Sequence, residues 1–328
     1  MKRFFNFFVG FIMILIFLMV GVYFFTQFSD EPSESVGAIE VVEEEIEVSE
    51  VAYYTPVKEE VDFNQNGPWR NSLEIATSED GIDFSPQTLL VEKAGVPSMT
   101  QVQDGRLILV FQWFPDSEWF DFPALMISED AGNTWTDPEP MKLVGYPEDW
   151  AVPFDPALVT LPDGRVCMYF TVNPKKFSGS TDTYISSAIS DDGLTYVYEP
   201  GIRFEDTDED LTRDSTVIYF DERFHIFSPA HSEDGVMNHG VSENGIDFTV
   251  EEDITEGESL IWLGNVTTSS TGMRFYGFTK GEIAWADSED GFIWTQEQRV
   301  NLIGADPAVI QLEDGSYLAV VIKFAKKL

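Results

Sequence analysis

The sequence is poor in cysteine, histidine and positive charge, and beyond its first 28 residues it has almost no helical periodicity. A single cysteine, Cys167, excludes an internal disulfide and any cluster of thiolate metal ligands. It lies in the apolar run Val166-Cys167-Met168-Tyr169-Phe170, which reads as a buried strand carrying an inert thiol. The three histidines, His225, His231 and His239, do not have the spacing of a zinc site. With 19 basic against 58 acidic residues the formal charge is -39, so nucleic acid and anionic membrane surfaces are poor partners for a folded domain. No cofactor-binding motif is found, and none is expected. The stretch Glu205-Asp206-Thr207-Asp208-Glu209-Asp210 offers hard oxygen ligands but lacks the glycine and spacing of a calcium loop, so it reads as a solvated acidic loop with no metal.

What is present begins with an apolar run from Phe4 to Phe25 behind Lys2 and Arg3. Its length suits a membrane-crossing helix, and no small-residue cleavage site follows it, so residues 1–28 are read as an uncleaved anchor. The two leading charges would keep that end in the cytoplasm and place the rest outside, in a single-pass topology. No cysteine follows the run, which argues against a lipid-modified anchor. Residues 29–67, with Glu43-Glu44-Glu45 and Glu59-Glu60, read as an acidic disordered stalk, and residues 68–328 as one folded domain.

Two motifs alternate in that domain. The first is Ser128-Glu129-Asp130-Ala131-Gly132-Asn133-Thr134-Trp135, with looser copies starting at Ser78, Ser190, Ser242 and Ser288, so that starts fall 46 to 62 residues apart. Serine and aspartate can cap nearby backbone N–H groups, glycine accepts a left-handed conformation, and the closing aromatic returns to a buried face. The second is an apolar strand, a tight turn and another apolar strand, clearest at Asp163-Gly164 and Asp314-Gly315, with weaker turns at Asp104-Gly105, Asp221-Glu222 and Thr271-Gly272. The period suits one four-stranded propeller blade per repeat. Blades are expected at about 96–146, 150–205, 210–253 and 262–303, leaving one hairpin at each end. The simplest closure joins residues 68–94 to residues 305–325 in a fifth blade, giving an all-β ring without a free edge.

In such a ring the start of each innermost strand opens at the channel mouth, opposite the tight turns. Aligning the blades on those turns puts Asp155, Asp306 and, one residue off register, Asp214 there, whereas Val96 and Leu263 or Gly264 hold the equivalent places in the other two blades. A residue needed to build every blade would recur in all five; three carboxylates with two gaps read as a site, the alternative being that aspartate only caps the strand. Converging acids can supply one proton donor and one base or nucleophile, and crowded carboxylates raise one another's pKa, which keeps one protonated near neutral pH. Around the same mouth Trp113 and Trp119 are candidate sugar platforms that could equally pack on their own blade, and Trp150, Arg213 and His231 fall in rim positions.

The Ser128 motif resembles the Asp-box of sialidases and related propellers, where the box is structural. Five blades with Asp155-Pro156 and Asp306-Pro307 opening inner strands resemble the arabinanase, levansucrase and invertase superfamily of furanosidase-type propellers. Thr212-Arg213-Asp214-Ser215 is similar to its Arg-Asp-Pro segment with serine in place of proline. The resemblance implies a glycosidase working with three acids, for which Asp155, Asp214 and Asp306 are the candidates. No inner-strand glutamate is present, so the proton donor would be Asp214 or a loop group such as Glu258. The expectation is a monomeric glycoside hydrolase-like propeller acting on carbohydrate. A glycan-binding propeller without catalysis is the alternative, and an exo-sialidase, suggested by the boxes alone, is the third reading.

Overall fold

The computed structural model describes residues 51–56, 60–174, 182–205, 211–230, 235–255, 261–279 and 282–325. The apolar run 4–25, the acidic loop 206–210, His231 and Glu258 lie outside the described residues. Among the described residues no helix is long and apolar enough to cross a membrane.

The chain forms five antiparallel sheets arranged as a five-bladed β-propeller. Blade I contains β3 (Ala94–Gln101), β4 (Leu107–Trp113), β5 (Phe122–Ser128) and β6 (Glu139–Pro140). Blade II contains β8 (Phe154–Thr160), β9 (Val166–Val172), β10 (Tyr184–Ser190) and β11 (Thr195–Phe204), with β7 (Lys142–Val144) added parallel to β11 as a fifth, outermost strand. Blade III contains β12 (Thr216–Phe220), β13 (Arg223–Pro229), β14 (Met237–Ser242) and β15 (Thr249–Val250). Blade IV contains β16 (Ile261–Ser269), β17 (Gly272–Thr279), β18 (Glu282–Ser288) and β19 (Gln298–Arg299). Blade V takes its inner strands, β20 (Ala305–Gln311) and β21 (Tyr317–Lys323), from one end of the domain, and its outer strands, β1 (Ser72–Ser78) and β2 (Thr88–Glu92), from the other. The closing ladder runs without a bulge from Ser72 opposite Lys323 to Ser78 opposite Tyr317. The five inner strands then contact one another in a continuous circle.

Second strands such as β4 (Leu-Ile-Leu-Val-Phe-Gln-Trp) and β9 are buried on both faces, because each is sandwiched between neighbouring blades. That is why they read as unbroken apolar runs rather than as alternating patterns. Removal of these faces from water is the main stabilising term.

The five Ser-containing boxes clasp blade to blade. In each, the serine Oγ accepts the N–H of the box glycine at 2.8–3.0 Å. The box Asp or Asn Oδ1 accepts further N–H groups, for example those of Ile246 and Asp247 on Asn244, both at 2.9 Å. The box glycines have φ between +72° and +86°. Each packs on the second strand of the preceding blade, leaving no room for a side chain. A β-carbon on Gly245 would lie 2.8 Å from the Tyr169 hydroxyl, one on Gly291 2.8 Å from His225 Nδ1, and one on Gly193 2.2 Å from Ile108. Tyr169 and Tyr276 donate from their hydroxyls to the carbonyls of Gly245 and Gly81, each at 2.7 Å.

The structure differs from expectation at the start of the domain, which was placed at residue 68 after a stalk. Tyr53 bridges Val144, the Tyr54 N–H donates to the Leu143 carbonyl at 2.7 Å, and the buried Tyr54 ring packs on Phe122 and Tyr146. Phe63 packs on Trp69 and Phe120. Tyr54 is buried against blades I and II and Phe63 is half-buried on Trp69 and Phe120 despite the acidic composition around them, and the compact unit begins at Val51.

Between blades III and IV, His225 and His239 are buried, with His225 Nδ1 3.1 Å from His239 Nε2 and both rings stacked with Phe227. Burial drives their pKa values down, to about 4 for His225 and about 3 for His239. Both values lie below that of an unfolded histidine, so the unfolded chain takes up these protons first as pH falls. Stability contributed by the neutral pair is therefore complete above about pH 6.5 and is lost between there and about pH 3 to 4. Chemical denaturation across that range is expected to show a loss on the order of a few kcal/mol, and a His225→Phe/His239→Phe variant is expected to flatten it. A loss of equal size in the variant would contradict the assignment. Separately, Gly245→Ala is expected to cost about 2–4 kcal/mol, from left-handed strain and the clash with Tyr169. Denaturant midpoints within about 0.5 kcal/mol of the parent would count against the clasp.

Candidate functional site

The chain enters its inner strands through a common backbone device. Val96, Asp155, Asp214 and Asp306 all have φ between +47° and +56°, and Gly264 holds the fifth equivalent place at φ +151°. In four blades the ladder slips there, between Gly95 and Ser98, Phe154 and Ala157, Ile261 and Gly264, and Ala305 and Ala308. A bulge of this kind re-aims the side chain out of the ladder, here towards the axis. Asp214, aligned one residue out by its sequence, takes the same conformation as Asp155 and Asp306. Aspartate and glycine tolerate the left-handed region, whereas a β-branched residue such as Val96 occupies it at a cost of about 1–2 kcal/mol. The ring therefore imposes the backbone, and the residue at each place is a separate matter.

All five places line one small pocket, which Asp155, Asp214 and Asp306 enter from blades II, III and V. Its volume is about 20 Å³, room for one water molecule and not for a sugar ring, so a glycan would sit above it at the mouth. Asp155 and Asp306 are each only 8% exposed. Thr171 Oγ donates to Asp155 Oδ2 at 3.2 Å and accepts the Asp214 N–H at 3.3 Å, tying blade II to blade III. The carboxyls of Asp155 and Asp214 are themselves hydrogen-bonded. Burial, then the charges of Asp214 and Asp306, push the Asp155 carboxyl well above the usual range. Burial and the charge of Asp214 raise Asp306 to about 8. Arg213 Nε lies 3.5 Å from Asp214 Oδ2. The pocket thus holds two carboxyls with raised pKa values beside Asp214, a set that can give and take protons at one point.

Three further polar side chains line the pocket beside these acids. The Ser215 hydroxyl is buried in the pocket wall without a hydrogen-bond partner in the protein. Ser98 Oγ accepts the Leu158 N–H at 2.9 Å, and Asn265 clasps Val309, accepting its N–H at 2.7 Å and donating to its carbonyl at 2.8 Å. Adjacent inner strands share no backbone ladder, so Ser98 and Asn265 brace the mouth. Ser98 and Asn265 have no signal in the sequence beyond a small polar residue one or two places after Val96 and Gly264.

The tryptophans stand apart from the pocket lining. Trp113 packs against the core shared by blades I and V, while Trp119 and Trp150 pack against the core of blades I and II. Trp119 is 5.5 Å from Phe122, and Trp150 lies among Tyr146, Tyr184 and Tyr198. Arg213 flanks the pocket beside Asp214, and His231 lies outside the described residues. Among the described residues no group of three or more His, Cys, Asp or Glu side chains is arranged to hold a metal ion.

No family model matches the chain, and no curated protein is similar to it at a significant level. Solved structures do resemble it. A protein of unknown function from Dyadobacter fermentans aligns over 80% of this chain and 87% of its own, at 16% identity and a TM-score of 0.50. An α-L-arabinofuranosidase from Clostridium thermocellum aligns over 69% of this chain and 81% of its own, at 14% identity and a TM-score of 0.53. A fructofuranosidase from Schwanniomyces occidentalis aligns over 77% and 55% respectively, at 14% identity and a TM-score of 0.51. The fold is that of the five-bladed furanosidase-type propellers. At such identities the likeness is one of backbone, and the chemistry of this five-bladed propeller has to be read from its own mouth, where Val96 and Gly264 leave two of the five places without a carboxylate.

Because Asp306 has a higher pKa folded than unfolded, the folded state binds the extra proton, and this group's contribution to stability falls as pH rises from about 4 through about 8. Asp306→Asn is therefore expected to be more stable than the parent above pH 8, with the gap closing towards pH 4. Denaturation at both pH values checks this; a pH-independent difference would contradict the burial of an ionisable Asp306.

Proposed function

We propose that this propeller acts on glycans, as a glycoside hydrolase whose acids are Asp155, Asp214 and Asp306. The observation that carries the reading is the meeting of three carboxylates from three blades in one pocket, two of them with raised pKa values. Asp155, kept protonated by burial and by its acidic neighbours, is the proton donor. Asp214, with Arg213 alongside, is the base or nucleophile, and Asp306 tunes the pair. Support of a coarser kind comes from an arabinofuranosidase and a fructofuranosidase sharing the fold. In this reading the run 4–25 anchors a monomeric propeller in the membrane by a single pass, with the propeller outside the cytoplasm.

A second reading, a propeller that binds glycans without cleaving them, is favoured by one observation. Aspartate is apt for a left-handed backbone, and Val96 shows that the ring imposes that conformation whatever residue is there. The sialidase reading has less support, since among the described residues no arginine lines the pocket. The full chain assayed against aryl furanosides, pyranosides and sialosides is expected to turn over an uncharged glycoside. Asp155→Asn and Asp214→Asn are each expected to lower kcat/KM at least about a hundredfold. Glycan binding with no turnover would establish the second reading instead.

A further inference from the structure

Above the Val96 place, at the seam of blades V and I, aromatic rings crowd the rim of the carboxylate face. Phe114 reaches down to the inner strand, its ring 3.6 Å from where a β-carbon on Gly95 would lie. Phe120 packs on Phe114 at 5.6 Å, on Phe63 at 5.8 Å and on Trp69 at 5.9 Å, and Phe63 meets Trp69 at 5.6 Å. Phe63, Trp69 and Phe120 remain half-buried.

The loop that supplies two of these rings is built to stay in place. Arg70 Nε donates to the Gln65 carbonyl at 2.8 Å, and its Nη2 donates to the carbonyls of Asn64 at 2.9 Å and Phe63 at 3.3 Å. Asp62 accepts from the Asn64 backbone at 3.1 Å and from the Gln65 side chain at 3.1 Å. Trp69 folds so closely over Gly67 that any β-carbon there would lie 2.2 Å from its ring. The Phe114 N–H donates to the Lys93 carbonyl at 2.8 Å, and the Ala94 N–H donates to the Asn71 carbonyl at 3.3 Å, fixing the loop to the start of β3. Half-exposed rings held this firmly lose little entropy when they take a ligand.

We propose that Phe63, Trp69 and Phe120 form a stacking subsite for an uncharged saccharide unit adjoining the one held over the carboxylates, which makes the ligand an oligosaccharide. The inference rests on the glycan reading above. Aromatic faces suit the apolar face of a sugar ring. The ligand is uncharged because Arg70 is committed to the loop and Lys93 Nζ lies over the Phe63 ring at 5.7 Å, while the chain carries a charge of -39 that repels anions. Trp113, Trp119 and Trp150 are also half-buried, but they pack against the blade cores.

Calorimetric titration tests this with arabinotriose and 1-kestose against arabinose and fructose, using the full chain carrying Asp155→Asn to prevent turnover. One trisaccharide is expected to bind at least about tenfold tighter than its monosaccharide. Phe120→Leu, which keeps apolar packing on Phe114, is expected to remove most of that advantage and leave the monosaccharide unchanged, while Phe120→Tyr retains it. Equal trisaccharide binding by a folded Phe120→Leu variant would overturn the subsite and leave the glycan reading standing. Failure of every saccharide to bind, together with no turnover in the glycoside panel, would overturn both.

Discussion

The ladder between β1 and β21 is the interaction on which the rest of this molecule depends. It joins segments some 250 residues apart and turns an open fan of four blades into a closed circle. Only in the closed circle does Asp306, carried by the last blade, face Asp155 and Asp214. The chain accepts the loop-closure cost of that long-range pairing because closure removes two sheet edges and buries both sides of blade V.

Once closed, the ring holds unfavourable features at its mouth. Four non-glycine residues are held left-handed, one of them a valine, and two carboxyls are buried where water would stabilise their ionised form better. Glycine boxes that seat one blade on the next, braces such as Asn265 on Val309, and apolar seams between blades supply the stability that offsets these costs. Lys93, Asp121, Ala131, Asp221 and Glu222 are held left-handed elsewhere, so what sets the mouth apart is that strain and buried acids coincide there.

Much of this was legible in the sequence because its signals are contiguous. The box from Ser128 to Trp135 and the turn at Asp163-Gly164 announce hairpins from a handful of adjacent residues, and two unpaired hairpins at the ends leave one economical closure. The alignment also brought Asp155 and Asp306 to equivalent places. What escaped depends on partners distant in the chain. Tyr54 sits in an acidic stretch that composition reads as solvated, yet its ring is buried against Phe122 and Tyr146. The strand Lys142–Val144 is three residues long, and only its neighbour β11 makes it a strand. Trp113, Trp119 and Trp150 could not be told from sugar platforms, since an aromatic ring serves either role and its surroundings decide. Phe120 drew no notice for the same reason, its companions Phe63 and Trp69 being some 50 residues away.

The most direct measurement of the central claim, that ring closure gathers three ionisable carboxyls into one small pocket, is a carbon-13 titration of the aspartate side chains. The account predicts an Asp306 carboxyl titrating near 8 that moves towards lower pH in Asp214→Asn, where a neighbouring charge has been removed. An Asp306 titrating near the ordinary value of about 4, indifferent to Asp214, would contradict it.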